Sequence, residues 1–296
     1  MTTINLTGRT AIVTGAGGGL GRSHALALAR HGARVVVNDM SPTGAEAVAG
    51  EIRQAGGEAV ASVCSVIDRA AVEAMIAETV ARWGSIDIVV NNAGILRDRT
   101  FAKMDLDDFA AVIDVHLMGS VNVTKAAWPH MREQDYGRIV FTTSSSGLYG
   151  NFGQSNYSAA KMALVGLMQT LALEGEKSNI RVNCLAPSAA TRMTEGLYSE
   201  EALKGLSSDL VSPGVVALVA EDAPTRVVLL AGSGAFEQAH VTMTRGVYLG
   251  AAPDAAEQIQ ASWVQITDRT GETVPASGAA QYQHEINHPD RAPEAA

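Results

Sequence analysis

Thr10-Ala11-Ile12-Val13-Thr14-Gly15-Ala16-Gly17-Gly18-Gly19-Leu20-Gly21 decides the fold. A β-branched, apolar run ends in a cluster of glycines. The chain then continues as Arg22-Ser23-His24-Ala25-Leu26-Ala27-Leu28, a helix-forming stretch. A strand that passes through a glycine turn into a helix offers free N–H groups to an anion and lets a pyrophosphate approach the backbone. A glycine cluster alone also fits an ordinary turn. The next strand tips the reading, because valine-rich Ala33 to Asp39 closes on an acid 18 residues after Gly21. A carboxylate there accepts ribose hydroxyls and repels a 2′-phosphate. No basic residue follows Asp39 directly and none lies between Gly15 and Gly21, so NAD is expected over NADP.

Outward from this turn, short β-rich runs alternate with helical stretches. Strands are expected over Arg9 to Thr14, Ala33 to Asp39, Glu58 to Val63, Ile86 to Asn91, Arg138 to Thr143 and Ile180 to Leu185. Helices are expected over Gly19 to His31, Gly44 to Ala55, Arg69 to Trp83, Leu106 to Met131 and Ser155 to Gly175. This rhythm specifies an α/β fold, a Rossmann-type doubly wound parallel sheet with helices on both faces. After Pro187 the rhythm weakens. Residues 188–213 read as a substrate loop, with Ser212 capping a helix that starts at Pro213. A last strand is expected between Phe236 and Thr244. We therefore expect a dinucleotide-binding catalytic domain over 1–246 and a C-terminal tail over 247–296. Trp263, Val264 and Ile266 would be the tail's apolar anchors.

Composition excludes several classes. Of 296 residues, 47% are hydrophobic, 18% charged and 5% aromatic, which is neither a disordered chain nor a coiled coil. The formal net charge of -9 gives no global attraction for nucleic acid or anionic membranes. Two cysteines, Cys64 and Cys184, form neither a disulfide framework nor a metal-ligand cluster. Both lie in apolar stretches and read as buried thiols of a reducing compartment. The N-terminus lacks a basic start followed by an apolar run, and no apolar run approaches a membrane span. The expected location is cytoplasmic.

The chemistry lies further along. Tyr157 and Lys161 are four residues apart near the start of a helix, hence on one face. A tyrosine ordinarily titrates near about 10. A neighbouring ammonium favours the phenolate and lowers that value, so the pair can exchange a proton with a substrate hydroxyl. Ser144, 13 residues earlier, can donate a hydrogen bond to the same oxygen.

These residues together resemble the short-chain dehydrogenase/reductase family. The matching motifs are Thr14-Gly15-x-x-x-Gly19-x-Gly21, Asn91-Asn92-Ala93-Gly94, Ser144 and Tyr157-x-x-x-Lys161, in family order over roughly residues 5 to 245. The resemblance implies hydride exchange between a nicotinamide cofactor and an alcohol or carbonyl. It implies Tyr157 as acid/base, Lys161 as modulator and ribose ligand, and Ser144 as donor to the substrate oxygen. Cofactor contacts are implied at Gly15, Gly19, Leu20, Gly21, Asp39, Ser65, Val66, Asn92, Ala93, Gly94, Tyr157, Lys161 and Thr191. A narrower similarity, through Asn92 to Arg99, Val115-His116-Leu117, Ala127-Trp128 and Tyr149 to Gln154, is to the (3R)-hydroxyacyl-CoA dehydrogenase unit of multifunctional enzyme type 2 and its bacterial relatives. It implies a CoA thioester substrate, with Arg97, Arg99 and Lys103 either meeting CoA phosphates or forming a solvated patch. It also implies a homodimer or homotetramer.

The departures are Ser65, where many relatives carry aspartate, Ser188 after Pro187, and His116, where asparagine is usual. His116 is read either as a proton relay or as a packed histidine. Alternative functions are a hydroxysteroid dehydrogenase, a 3-oxoacyl reductase, or a non-catalytic nucleotide-sensing scaffold. Intact Ser144, Tyr157 and Lys161 speak against the scaffold. The reading of Asp39 is testable: kcat/KM should favour NAD in the wild type, and Asp39→Ala should narrow that preference. A wild type more efficient with NADP would overturn it.

Overall fold

The computed structural model describes residues 4–189 and 205–290. The strands are β1 (Thr10–Thr14), β2 (Arg34–Asp39), β3 (Ala59–Val63), β4 (Ile88–Asn91), β5 (Gly137–Thr142), β6 (Ile180–Ser188), β7 (Val228–Gly232) and β8 (Ala235–Ala239). They form one sheet in the order β3-β2-β1-β4-β5-β6-β7-β8, with β1 to β7 paired in parallel. β1, β4 and β5 are buried along their whole length, as a parallel sheet covered on both faces requires. Around it lie α1 (Gly19–Arg30), α2 (Pro42–Gln54), α3 (Arg69–Trp83), α4 (Leu106–Ile113), α5 (Gly119–Glu133), α6 (Ser145–Tyr149) and α7 (Ser155–Gly175).

Local chemistry sets several boundaries. Ser41 caps α2 by accepting from the Gly44 N–H, and Pro42 follows at the first turn. Asp68 caps α3 through the Ala71 N–H, and Gly84 ends it at φ +82°. The expected single helix over Leu106 to Met131 is instead two helices joined by a π turn, Asp114–Met118. The extra residue lets α4 pack on α7 while α5 packs on α3 and against β4 and β5. The helix after the loop runs Ser212–Leu218, one residue earlier than expected, and Ser212 does not cap it. Its hydroxyl bonds instead to His24 Nδ1 at 2.9 Å and donates to the Ser208 carbonyl. His24 is fully buried. The strand at Val228–Gly232 was not expected, and the last strand ends at Ala239 rather than near Thr244.

The chain divides into two compact units, Met1–Gln238 and Ala239–Ala296. In the second, helices Ala255–Ala261, Trp263–Ile266 and Gly278–Ile286 are separated by turns. Trp263 and Val264, two of the expected apolar anchors, are exposed in the single chain, at 55% and 80%. Cys64 is half-buried, whereas Cys184 is buried as expected. No helix among the described residues is long and apolar enough to cross a membrane.

The two ends of the sheet are secured differently. At the N-terminal end of the strands, the fully buried Arg138 donates to the carbonyls of Gly137, Asn179, Ala220 and Glu221. Asp87 accepts from the Thr10 N–H and pairs with Arg9 at 3.0 Å. At the C-terminal end, β1 and β4 part company, because the chain winds outward from them in opposite directions. A crevice at such a switch point is where doubly wound sheets bind ligands. It is bridged by Thr14, whose hydroxyl accepts from the N–H groups of Asn92 and Ala93, each at 3.0 Å. Thr14→Val keeps the shape and strands both N–H groups. It should cost about 2 kcal/mol in denaturant unfolding, and unchanged stability would show that these bonds contribute nothing.

Candidate active site

The glycine turn sits on this crevice. Gly15 and Gly19 have φ of +62° and +53°, the left-handed region that glycine occupies without strain. Close approach adds a second constraint. A Cβ on Gly15 would lie 2.8 Å from Ala93 Cα, and one on Gly21 would lie 2.2 Å from the Gly15 carbonyl oxygen. The Asn92 amide donates to the carbonyls of Thr14 and Gly15, which fixes the turn against the Asn92-Ala93-Gly94 segment. The start of α1, at Gly19 and Leu20, carries no side-chain cap. Its first N–H groups keep the anion-binding character of a helix N-terminus.

Asp39 stands at the end of β2 beside the turn. Its carboxylate accepts from the Gly17 N–H and the Ser41 N–H, each at 2.9 Å. This acid therefore also shapes the turn, a role its sequence position alone did not suggest. Ser65 and Val66 follow β3. The Val66 side chain is buried, close enough to α5 that a Cβ on Gly119 would meet its Cγ2 at 2.5 Å. Its carbonyl accepts from Asn122. Thr191 lies outside the described residues.

Beyond the end of β5, Ser144 is buried, and its Oγ accepts from the Ser146 N–H at 3.1 Å as the cap of α6. Tyr157 and Lys161 lie on the first turns of α7, with Lys161 Nζ 5.5 Å from the Tyr157 ring centroid. Lys161 is 2% exposed and donates to the Thr142 carbonyl. Burial lowers its pKa to about 7. The expected depression of the Tyr157 pKa is not what the structure gives. Burial pushes the phenol up, the Ser144 hydroxyl pulls it down and Asp98 adds to the rise. The reason is desolvation of the phenol itself, which outweighs the Ser144 hydrogen bond.

His116 lies in the π turn, buried, with its ring edge-on to Tyr157 at a centroid distance of 5.2 Å. Its Nε2 lies 2.8 Å from the Ile95 carbonyl and 3.0 Å from the Ile95 N–H. Gly94 makes room for the imidazole, since a Cβ there would come within 2.2 Å of His116 Cε1. Burial, then the charge of Lys161, lowers the His116 pKa to about 3, against a smaller rise from the Ile95 hydrogen bond. The ring is thus neutral near pH 7. Nδ1 has no hydrogen-bond partner. Sequence reasoning placed Thr14 in the glycine motif without its bridging role, and it missed Asn156, which accepts from the Tyr157 N–H and donates to the Arg97 carbonyl. A polar residue next to Tyr157 was the available signal. Among the described residues no group of His, Cys, Asp and Glu is placed to hold a metal ion.

This arrangement is that of enzymes which exchange hydride and proton at a CH–OH group, and the chain is an oxidoreductase of that kind. It belongs to the short chain dehydrogenases, whose family model matches residues 9–203. A short-chain type dehydrogenase/reductase of Mycobacterium tuberculosis is 46% identical over 273 residues, covering 89% of this chain and 95% of the relative. Peroxisomal multifunctional enzyme type 2 of Mus musculus is 40% identical over 277 residues. The match covers 90% of this chain but 38% of that enzyme. The solved full-length peroxisomal multifunctional enzyme type 2 of Drosophila melanogaster superposes with a TM-score of 0.81 at 38% identity, covering 96% of this chain and 50% of the other.

The buried lysine predicts a pH signature. The folded pKa of about 7 lies below the ordinary value of 10.5, so between these values the unfolded chain binds the extra proton. Stability should therefore rise as pH increases from about 7 towards about 10. Lys161→Met should flatten that rise in denaturant unfolding measured across the same range. Parallel stability profiles for the two proteins would show that Lys161 titrates normally.

Proposed function

We propose that this protein is an NAD-dependent dehydrogenase that oxidises the secondary alcohol of a 3-hydroxyacyl-CoA thioester, or runs the reverse reduction. The observation that carries the reading is the pairing of Tyr157 with the buried Lys161 beside Ser144, next to the switch-point crevice. The residues fit a dinucleotide: an uncapped helix start follows the glycine turn, and the Asp39 carboxylate closes β2. Gly15, Gly19, Leu20 and Gly21 would hold the pyrophosphate, Asp39 the adenosine ribose, Ser65 and Val66 the adenine. Asn92, Ala93, Gly94 and Thr191 would line the remainder. Bound there, NAD supplies hydride-accepting chemistry.

The chain's own part is proton management. Ser144 donates a hydrogen bond to the substrate oxygen. Tyr157, as phenolate, removes the hydroxyl proton as hydride leaves carbon. The Ser144 hydrogen bond favours the phenolate against burial of the ring, and Lys161 in its protonated form adds a charge that favours it further. Neutral His116 orients the tyrosine ring by its edge contact and bears no charge at working pH. The exposed Arg97, Arg99 and Lys103 after β4 favour a substrate with phosphates. Two of the named relatives are peroxisomal multifunctional enzymes type 2, which favours an acyl thioester. We place the chemistry in residues 1–246 and assign none to the tail.

The test is a turnover screen of 3-hydroxyacyl-CoA and hydroxysteroid substrates with both cofactors, followed by the absorbance of reduced nicotinamide. Tyr157→Phe should retain NAD binding and lose about 10²–10⁴-fold in kcat. Wild-type kcat in that variant, or turnover of hydroxysteroids alone, would overturn the corresponding half of the reading.

A further inference from the structure

A chain of hydrogen bonds leads out of the site and ends on a charge. Ser144 Oγ accepts from the Ser146 N–H, and the Ser146 hydroxyl donates to Gln154 Oε1 at 2.9 Å. Asn151 donates to the same oxygen at 3.1 Å. The other end of the Gln154 amide donates to Asp98 Oδ2 at 2.7 Å. The backbone reinforces the link: the Arg99 N–H donates to the Gly153 carbonyl, and Arg99 and Gln154 form a parallel bridge. Both donor and acceptor capacities of one amide are therefore used between the turn that carries Ser144 and the segment that carries Asp98.

We propose that Gln154 is a positioning residue for the reaction, holding the Ser144–Ser146 turn with its carbonyl and the Asp98 carboxylate with its amide, so that a fixed negative charge stands at the edge of the Tyr157 site. This rests on the reading of Tyr157 as the proton-exchanging group. About the phenol lie Ser144 beyond β5, His116 in the π turn and Lys161 on α7, and the exposed Asp98 carboxylate after β4 raises its pKa from outside the site. Asp98 is the carboxylate among them. Of its flanking cations, Arg97 is engaged with Asp108 at 3.3 Å, and Arg99 follows in sequence. Asp98 thus opposes the Ser144 hydrogen bond: one favours the neutral phenol, the other the phenolate. The balance is maintained by an amide that can neither ionise nor release one end without weakening the other.

Asp98→Asn removes the charge and keeps an oxygen that can accept from Gln154. It should move the acidic limb of the kcat profile for alcohol oxidation to lower pH. Gln154→Leu breaks both ends and should lower kcat by about 10- to 100-fold with little change in NAD affinity. Gln154→Glu alone sets two carboxylates together and should behave likewise. Combined with Asp98→Asn it restores an amide–carboxylate pair, and kcat should return to within about threefold of Asp98→Asn alone. The phenolate itself can be titrated by ultraviolet absorbance as the difference between each protein and its Tyr157→Phe counterpart. That readout needs no substrate, so it separates failure of this proposal from failure of the substrate assignment. A shifted phenolate titration with no turnover of any hydroxyacyl thioester would keep the clamp and discard the substrate. Superimposable titrations for wild type and Asp98→Asn would overturn the proposal, as would Gln154→Leu with wild-type kcat and only a lower Tm. If Gln154→Leu does not fold, the Asp98→Asn titration decides alone.

Discussion

The Thr14 hydroxyl is the constraint on which the site depends. It joins two strands exactly where the sheet opens, accepting from Asn92 and Ala93 while remaining 3.4 Å from the Val90 carbonyl as a donor. The backbone of β4 thereby continues past its last ladder bond as a wall against the glycine turn. The Asn92 amide completes the join from the opposite direction. Remove this seam and Gly15 loses the surface that makes a side chain impossible there. The turn, the start of α1 and the Gly94–His116 contact all take their positions from it.

A second theme is the burial of bases. His24, His116 and Lys161 all sit inside the first unit, and burial is the leading cause of each lowered pKa. The two imidazoles, at about 3, are neutral at working pH. Their folded values lie below the ordinary 6.5, so their contribution to stability is intact above that value and declines as pH falls through it. Lys161 differs because its pKa of about 7 leaves it divided between charged and neutral forms at neutrality. It is the group whose charge a change in the site can tip. A dry setting amplifies that effect, since charges interact more strongly away from water.

The sequence made the alternation of strands and helices legible because buried parallel strands and amphipathic helices leave different periods. It made the glycine turn legible because close backbone approach admits no other residue at Gly15 and Gly21. Tyr157 and Lys161 were legible as a helical pair. What escaped had physical reasons. Periodicity over Leu106 to Met131 does not register one residue of extra winding. Ser212 beside Pro213 satisfies the usual signs of a cap, yet a distant histidine in sequence claims its hydroxyl. The direction of the Tyr157 shift depends on how deeply the phenol itself is buried, which spacing cannot report.

The π turn at Asp114–Met118 carries a further consequence, for how this stretch can change over evolutionary time. One residue subtends about 100° of an α-helix. The bulge therefore acts as a phase shifter, rotating everything in α5 relative to α4. Substitutions within the turn alter a side chain, whereas a single deletion would restore ordinary winding and re-aim the whole of α5. The face now turned to α3, β4 and β5 would swing away from them, and His116 would leave the Tyr157 ring. A surface loop absorbs a lost residue locally. Here the reading frame of the fold itself is set, so length in this segment should be held more strictly than composition.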